Sequence, residues 1–283
     1  MIHRMKKLIT LLFLIALSIS TAKGLHFLKD GFSVRRIHSL NIYTQENWNS
    51  EIEKILAQPF RYVGRGRQCF AFESHDQKYV LKLPRTDIYK TPLWVRSLPL
   101  KKTRRALEKR HNDKKQFFLK SLAIARDELK DQTGLITVHL GQSPSREKLT
   151  LIDQLNCKHT LILGKTSFIL QKKWPLLMQS FSQALENNEI DQAKKILDAL
   201  TDAIIARSEK GIFNKDPSFL RNYGFDGEKA YSIDIGTFCK KEELDPLQAP
   251  QKSIDYSTGP IRDWLAKTSP EMLSYLNEKL ASR

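Results

Sequence analysis

Residues 211 to 238 read GIFNKDPSFLRNYGFDGEKAYSIDIGTF. Three polar side chains in this stretch, Asp216, Asn222 and Asp234, fall inside short apolar segments that core packing alone would keep apolar. Asp234 ends the strand-like run Ser232-Ile233-Asp234-Ile235, and Gly236 follows two residues later, where the chain can turn sharply. Asp216 and Asn222 lie upstream on a loop closed by Asn222-Tyr223-Gly224. A hairpin around Asp226-Gly227 would bring all three oxygen-bearing groups to one side of a strand pair, an arrangement suited to a divalent cation.

Immediately before this stretch, Trp174 to Lys210 reads as helical. It contains no glycine, and its only proline, Pro175, is near the start. Ala193, Ile196, Leu197, Leu200, Ala203 and Ile204 repeat at helical spacing, with Asn188 or Asp191 as cap and Gly211 as terminator. After it, Ile261 to Leu280 reads as two helical segments split by Pro270.

Upstream the character is different. Phe60 to Val63, Phe70 to Ser74 and Lys78 to Leu83 are short, aromatic and β-branched runs bounded by turn residues, which predicts three antiparallel strands. Leu135 to Leu140, Leu149 to Ile152, Thr160 to Leu163 and Ser167 to Gln171 extend the same sheet. Between these groups lies a basic run, Lys101-Lys102, Arg104-Arg105, Lys109-Arg110 and Lys114-Lys115, on an expected helix, with a second helix from Leu119 to Leu129 ended by Gly134. The cations cannot share one helix face, and Phe117 and Phe118 close the run without interleaving with it. It therefore reads as a solvated helix surface before it reads as a nucleic-acid groove. His139 and His159 read as ordinary strand or turn residues.

The composition, 41% hydrophobic and 28% charged over 283 residues, excludes a disordered or collagen-like chain and allows one large domain or two lobes. A formal net charge of +16 implies an acidic partner: phosphate, nucleotide, nucleic acid or an anionic membrane surface. Cys69, Cys157 and Cys239 lack the spacing of a metal cluster or a disulfide framework. Residues 1 to 22 place Arg4, Lys6 and Lys7 ahead of an apolar run from Leu8 to Ile19, followed by small residues. This predicts an export signal, with an uncleaved inner-membrane anchor as the second reading, because a comfortable span needs roughly 20 apolar residues. Residues 23 to 57 form a lead-in segment, with Asn47 to Ser50 capping a short helix.

Gly64-x-Gly66 and Lys82 give the order of these features its meaning. Glycine turn, strand lysine, helix glutamate, hinge, long helix, loop aspartate, loop asparagine and aspartate-x-glycine resemble the protein-kinase-like superfamily over roughly residues 58 to 240. The resemblance implies an α+β, two-lobed fold, with a β-rich lobe over residues 58–173 and a short α-rich lobe over 174–283. It also implies ATP and Mg²⁺ as cofactors. Carried over, Gly64 and Gly66 look like the phosphate-covering loop, Lys82 like the lysine on the α and β phosphates, and Glu128 like its helix partner. Asp216 is similar to the aspartate that orients an acceptor hydroxyl, and Asn222 and Asp234 to the metal ligands, while Gln171 to Lys173 would meet adenine through the backbone. The sequence departs from the pattern in four ways. Cys69 replaces a third glycine, Asn214-Lys215 precede Asp216, Asn222 lies six residues past Asp216, and Asp234-Ile235-Gly236 lacks phenylalanine. No Ala-Pro-Glu segment follows, so peptide docking of the full protein-kinase type is not expected. The implied activity is phosphorylation of a hydroxyl on an unidentified acceptor. A catalytically silent pseudokinase that binds an acidic partner is the alternative, and a basic nucleic-acid-binding protein the third reading.

Overall fold

A computed structural model describes residues 2–37, 39–43, 49–92, 95, 101–240 and 250–282. The chain divides into two compact units, residues 1–88 with 139–168, and residues 89–138 with 169–283.

The first unit is built on a mixed sheet. The strands are β1 (Ile42–Tyr43), β2 (Phe60–Arg65), β3 (Cys69–Ser74), β4 (Tyr79–Pro84), β5 (Leu135–Gln142), β6 (Lys148–Ile152), β7 (Lys158–Ile162) and β8 (Ser167–Lys172), of which β5 and β8 are each divided between the two units. They lie in the order β1-β5-β8-β4-β3-β2-β6-β7. The expected meander is present: β2 pairs antiparallel with β3, and β3 with β4. Strand alternation buries Phe70 and Phe72 on β3 and Leu81 and Leu83 on β4. Phe32, Tyr62, Phe70, Phe72 and His159 form one ring cluster, with Phe32 standing edge-on to Phe70, Phe72 and His159. Each such pair adds about 0.5–1.5 kcal/mol beyond its buried area. Phe32, Ile37 and Leu40 are buried, so residues read as a lead-in supply part of this core.

The N-terminal segment is a helix, Ile2–Leu28. Leu12, Phe13, Leu14, Ile15 and Leu17 are exposed on it. Among the described residues no helix is long and apolar enough to cross a membrane. The short helix Ser50–Ala57 starts where capping chemistry predicts, because the Asn49 side chain accepts from the Ile52 amide. Asn47 and Trp48, at the head of that expected cap, lie outside the described residues.

The second unit is mainly helical. The basic run and the second expected helix are one element, Lys101–Asp127, because no glycine or proline separates them. Its first turns are solvent-exposed, and its last half buries Phe118, Ser121, Leu122, Ile124 and Ala125. The stretch expected to be helical holds two helices, Leu177–Glu186 and the long helix Ile190–Glu209 that carries Ala193 to Ile204. Asn188 is not the cap; it sits at φ +60° in the turn between the helices, a conformation asparagine tolerates, and Glu189 is the capping residue. Gly134 and Gly211 adopt φ +57° and +70° at helix ends, as expected. Helices Pro250–Thr268 and Pro270–Ala281 follow, and Pro260 lies inside the first of them. Phe181, Ile196, Leu197, Leu200, Phe219, Tyr223, Leu265 and Met272 form the apolar core of this unit. The expected architecture is therefore present: an α+β chain with a sheet-bearing unit and a helical one. No disulfide joins Cys69, Cys157 and Cys239.

Candidate active site

Two short ladders organise Gly211 to Phe238. β9 (Ile212–Asn214) pairs antiparallel with β12 (Phe238–Lys240), and β10 (Tyr223–Phe225) pairs antiparallel with β11 (Ala230–Ser232). The turn closing the second pair is held by Asp226, whose carboxylate accepts from the amides of Glu228 and Lys229 and from the Tyr231 hydroxyl. Gly227 takes φ +103° there. This is the hairpin that the Asp226-Gly227 pair predicts.

The ladders bring Asp216, Asn222 and Asp234 into one neighbourhood. Asn222 ends the helical turn Phe219–Asn222 and is buried; its Nδ2 donates to the Asp216 carbonyl at 3.1 Å. Among the described residues no donor reaches its amide oxygen. The Asn222 carbonyl accepts from the Ile233 amide at 2.9 Å, and Asp234 is the next residue. Asp234 Oδ1 accepts from the Gly236 amide at 3.2 Å. Among the described residues no protein donor engages the Asp216 carboxylate.

Asn214 and Ser121 hold this arrangement, and sequence reasoning assigned neither of them a role. Asn214 Oδ1 accepts from the Asp216 amide at 3.0 Å and from the Thr237 hydroxyl at 2.6 Å, tying the aspartate loop to the strand after Gly236. Ser121 is fully buried; its hydroxyl donates to the Ile235 carbonyl at 2.6 Å and accepts from the Phe238 amide at 2.7 Å. It clamps both sides of the Asp234-Ile235-Gly236 turn. The available signal was a serine on the apolar face that holds Phe118, Leu122 and Ala125.

Glu128 lies one residue past its helix. Its carboxylate pairs with Lys240, and its carbonyl accepts from Lys210 at 2.8 Å. Gln171 is buried and donates to the Thr133 carbonyl, while the Lys172 amide donates to that of Gly134. Trp174 stacks on Tyr231 with ring centroids 3.8 Å apart. A Cβ on Gly134 would lie 1.8 Å from the Trp174 ring.

In the sheet unit, Lys82 is half-buried on β4, opposite Ala71 and on the face away from Leu81 and Leu83. Gly64 lies at a register shift in β2, and the Gly66 amide donates to the Cys69 carbonyl to close the β2–β3 turn. Neither glycine has a positive φ. A Cβ on Gly64 would meet nothing within 4 Å, and one on Gly66 only the Cys69 carbonyl at 3.4 Å. The fold itself therefore does not require glycine at either position.

Among the described residues no three His, Cys, Asp or Glu side chains gather as a metal-binding group. The Asp234 and Asn222 oxygens suit Mg²⁺, which takes one or two protein oxygens and completes its shell with phosphate and water.

No protein-family model matches the chain, and no curated protein matches it. Solved structures of WbdD do. One is 16% identical with a TM-score of 0.40 and matches over 78% of this chain and 45% of its own. WbdD with the kinase inhibitor LY294002 is 16% identical, with a TM-score of 0.36 over 77% and 44%. A third structure, of the bifunctional kinase-methyltransferase WbdD, is 17% identical, with a TM-score of 0.35 over 76% and 43%. The chain thus spans under half the length of these proteins.

Proposed function

We propose that this protein is a kinase-like phosphotransferase that uses ATP and Mg²⁺ to phosphorylate a hydroxyl group. The observation that carries the reading is the Asp216–Asn222–Asp234 neighbourhood. Three hard-oxygen groups are fixed by backbone and clamp contacts, while among the described residues no protein donor engages the Asp216 carboxylate or the Asn222 amide oxygen. Phosphoryl transfer needs positioned charge and little covalent chemistry, which suits such a set.

In this reading Asp216 takes the hydrogen bond of the acceptor hydroxyl and aims its oxygen. Asn222 and Asp234 hold Mg²⁺, Lys82 holds nucleotide phosphate, and the turn carrying Gly64 and Gly66 covers it. The nucleotide, when bound with its metal, supplies the electrophilic phosphoryl group. The N-terminal helix, with its exposed apolar side chains, serves export or membrane attachment. A catalytically silent binding module of the same fold is the second reading, favoured by the engagement of Glu128 with Lys240.

Turnover separates the two. Purified protein should release ADP from Mg²⁺-ATP in the presence of a hydroxyl acceptor, and Asp216→Ala should abolish release while nucleotide affinity persists. Nucleotide binding by the unaltered protein, with turnover absent across acceptor classes, would establish the binding module instead.

A further inference from the structure

The β2–β3 turn is held from one side by a single residue that no motif singles out. Arg85 directly follows β4. Its Nη1 donates to the carbonyls of Gly66 at 3.2 Å and Arg67 at 3.3 Å, and its backbone amide donates to the Gln68 carbonyl at 2.7 Å. Three consecutive carbonyls of the turn therefore point at one residue. The peptide bonds here are trans, so each carbonyl and the following N–H point in opposite directions. Drawing the Gly66 and Arg67 carbonyls toward the guanidinium turns the amides of Arg67 and Gln68 away from it. Successive amides presented on one side of a turn form a concavity that attracts anions.

The guanidinium is itself fixed. It lies over the buried Phe70 ring, 5.7 Å from the centroid, and Arg36 lies over the same ring at 5.6 Å. Arg36 donates twice to Asp87 Oδ2, at 2.9 and 2.7 Å, and Arg85 approaches the same oxygen at 3.9 Å. Asp87 thus lies between two arginines, and the aromatic ring supports both. A lysine at position 85 would supply a point charge without the planar fork that reaches two carbonyls.

We infer that Arg85 is a positioning residue that sets the amides of the glycine turn for a phosphate-bearing ligand. This rests on the nucleotide reading given above and adds a residue to it. Arg85 touches no reacting atom; it acts through the turn.

The test uses the full chain and Arg85→Met, with Arg85→Lys as the partial-rescue variant should the first fail to fold. Backbone ¹⁵N relaxation should show Arg67 and Gln68 ordered in the unaltered protein and more mobile in either variant. Unchanged order parameters would overturn the inference. By calorimetry, Mg²⁺-ATP and Mg²⁺-ADP should bind about tenfold more weakly to Arg85→Met, the loss expected from one charge-assisted contact set, while adenosine affinity changes less than about twofold. Arg85→Lys should fall between. An equal loss for adenosine and ATP would make Arg85 a general stability residue and sink the proposal. If the unaltered protein binds no nucleotide, the proposed function fails on that result alone. Relaxation and binding of inorganic tripolyphosphate then decide the role of Arg85: weaker tripolyphosphate binding by the variant supports it, and unchanged binding overturns it.

Discussion

Asp153 and Asp234 both follow short strands, and the two units treat them in opposite ways. The Asp153 side chain is fully buried and accepts from Lys29 Nζ at 2.9 Å, His159 Nε2 at 2.9 Å, and the amides of Leu155 and Cys157 at 3.0 and 2.9 Å. Because an ionised carboxylate only accepts, His159 carries its proton on Nε2. Asp234 is half-exposed and, among the described residues, accepts from one protein donor, the Gly236 amide. A carboxylate saturated by its own protein is structural, and one left open has capacity for a ligand.

The largest effect that could break this contrast is on stability. Asp153→Ala should destabilise the fold by about 3 kcal/mol, because it strands Lys29 and leaves buried donors unpaired. The urea midpoint measures this, and an effect under about 1 kcal/mol would remove Asp153 from the structural class. The same residue sets an acid limb. Burial opposes its ionisation, but the bonds from Lys29, His159 and the Cys157 amide outweigh that and hold the carboxyl down at about 2. Its folded value lies below the unfolded one. The stabilisation is therefore complete above the ordinary carboxylate range and is lost as pH falls through about 2. Asp153→Asn should flatten the decline of stability with falling pH, seen in urea titrations between neutral pH and strong acid.

Glycines offer a second form of the contrast, with a smaller effect. Gly134→Ala should cost about 2 kcal/mol, since φ is +57° and a Cβ would strike Trp174. Gly66→Ala should change stability by less than about 0.5 kcal/mol, because nothing in the turn opposes a methyl group. If Gly66→Ala keeps its melting temperature and weakens Mg²⁺-ATP binding, the glycine serves the ligand.

Local signals carried much of the fold. The strand runs, the Asn49 cap, the glycine stops and the Asp226-Gly227 hairpin each depend on residues within a few positions of one another, so periodicity and turn chemistry expose them. Tertiary packing decided what was missed. Gly259-Pro260 looks like a break, yet the helix continues through it because Ile254, Ser257, Thr258, Ile261 and Leu265 are buried on one side. The Lys29–Asp153 pair joins residues far apart in the chain, and no short window contains both. In the candidate site the three oxygen groups were readable as polar intrusions, whereas the clamps were not. Ser121 reaches Ile235, and Arg85 reaches Gly66, only once distant segments have packed. The Glu128–Lys240 pair was hidden for the same reason.

The open carboxylates should matter little for stability. Asp234→Ala should cost less than about 1 kcal/mol, the worth of its hydrogen bond from the Gly236 amide, and should leave the urea midpoint nearly unchanged. Its consequence should appear with ligand. The most direct measurement is the melting temperature with and without millimolar Mg²⁺-ATP, for the unaltered protein and for Asp234→Ala. The melting temperature should rise in the unaltered protein and stay unchanged in the variant. No rise in the unaltered protein, or an equal rise in both, would contradict it.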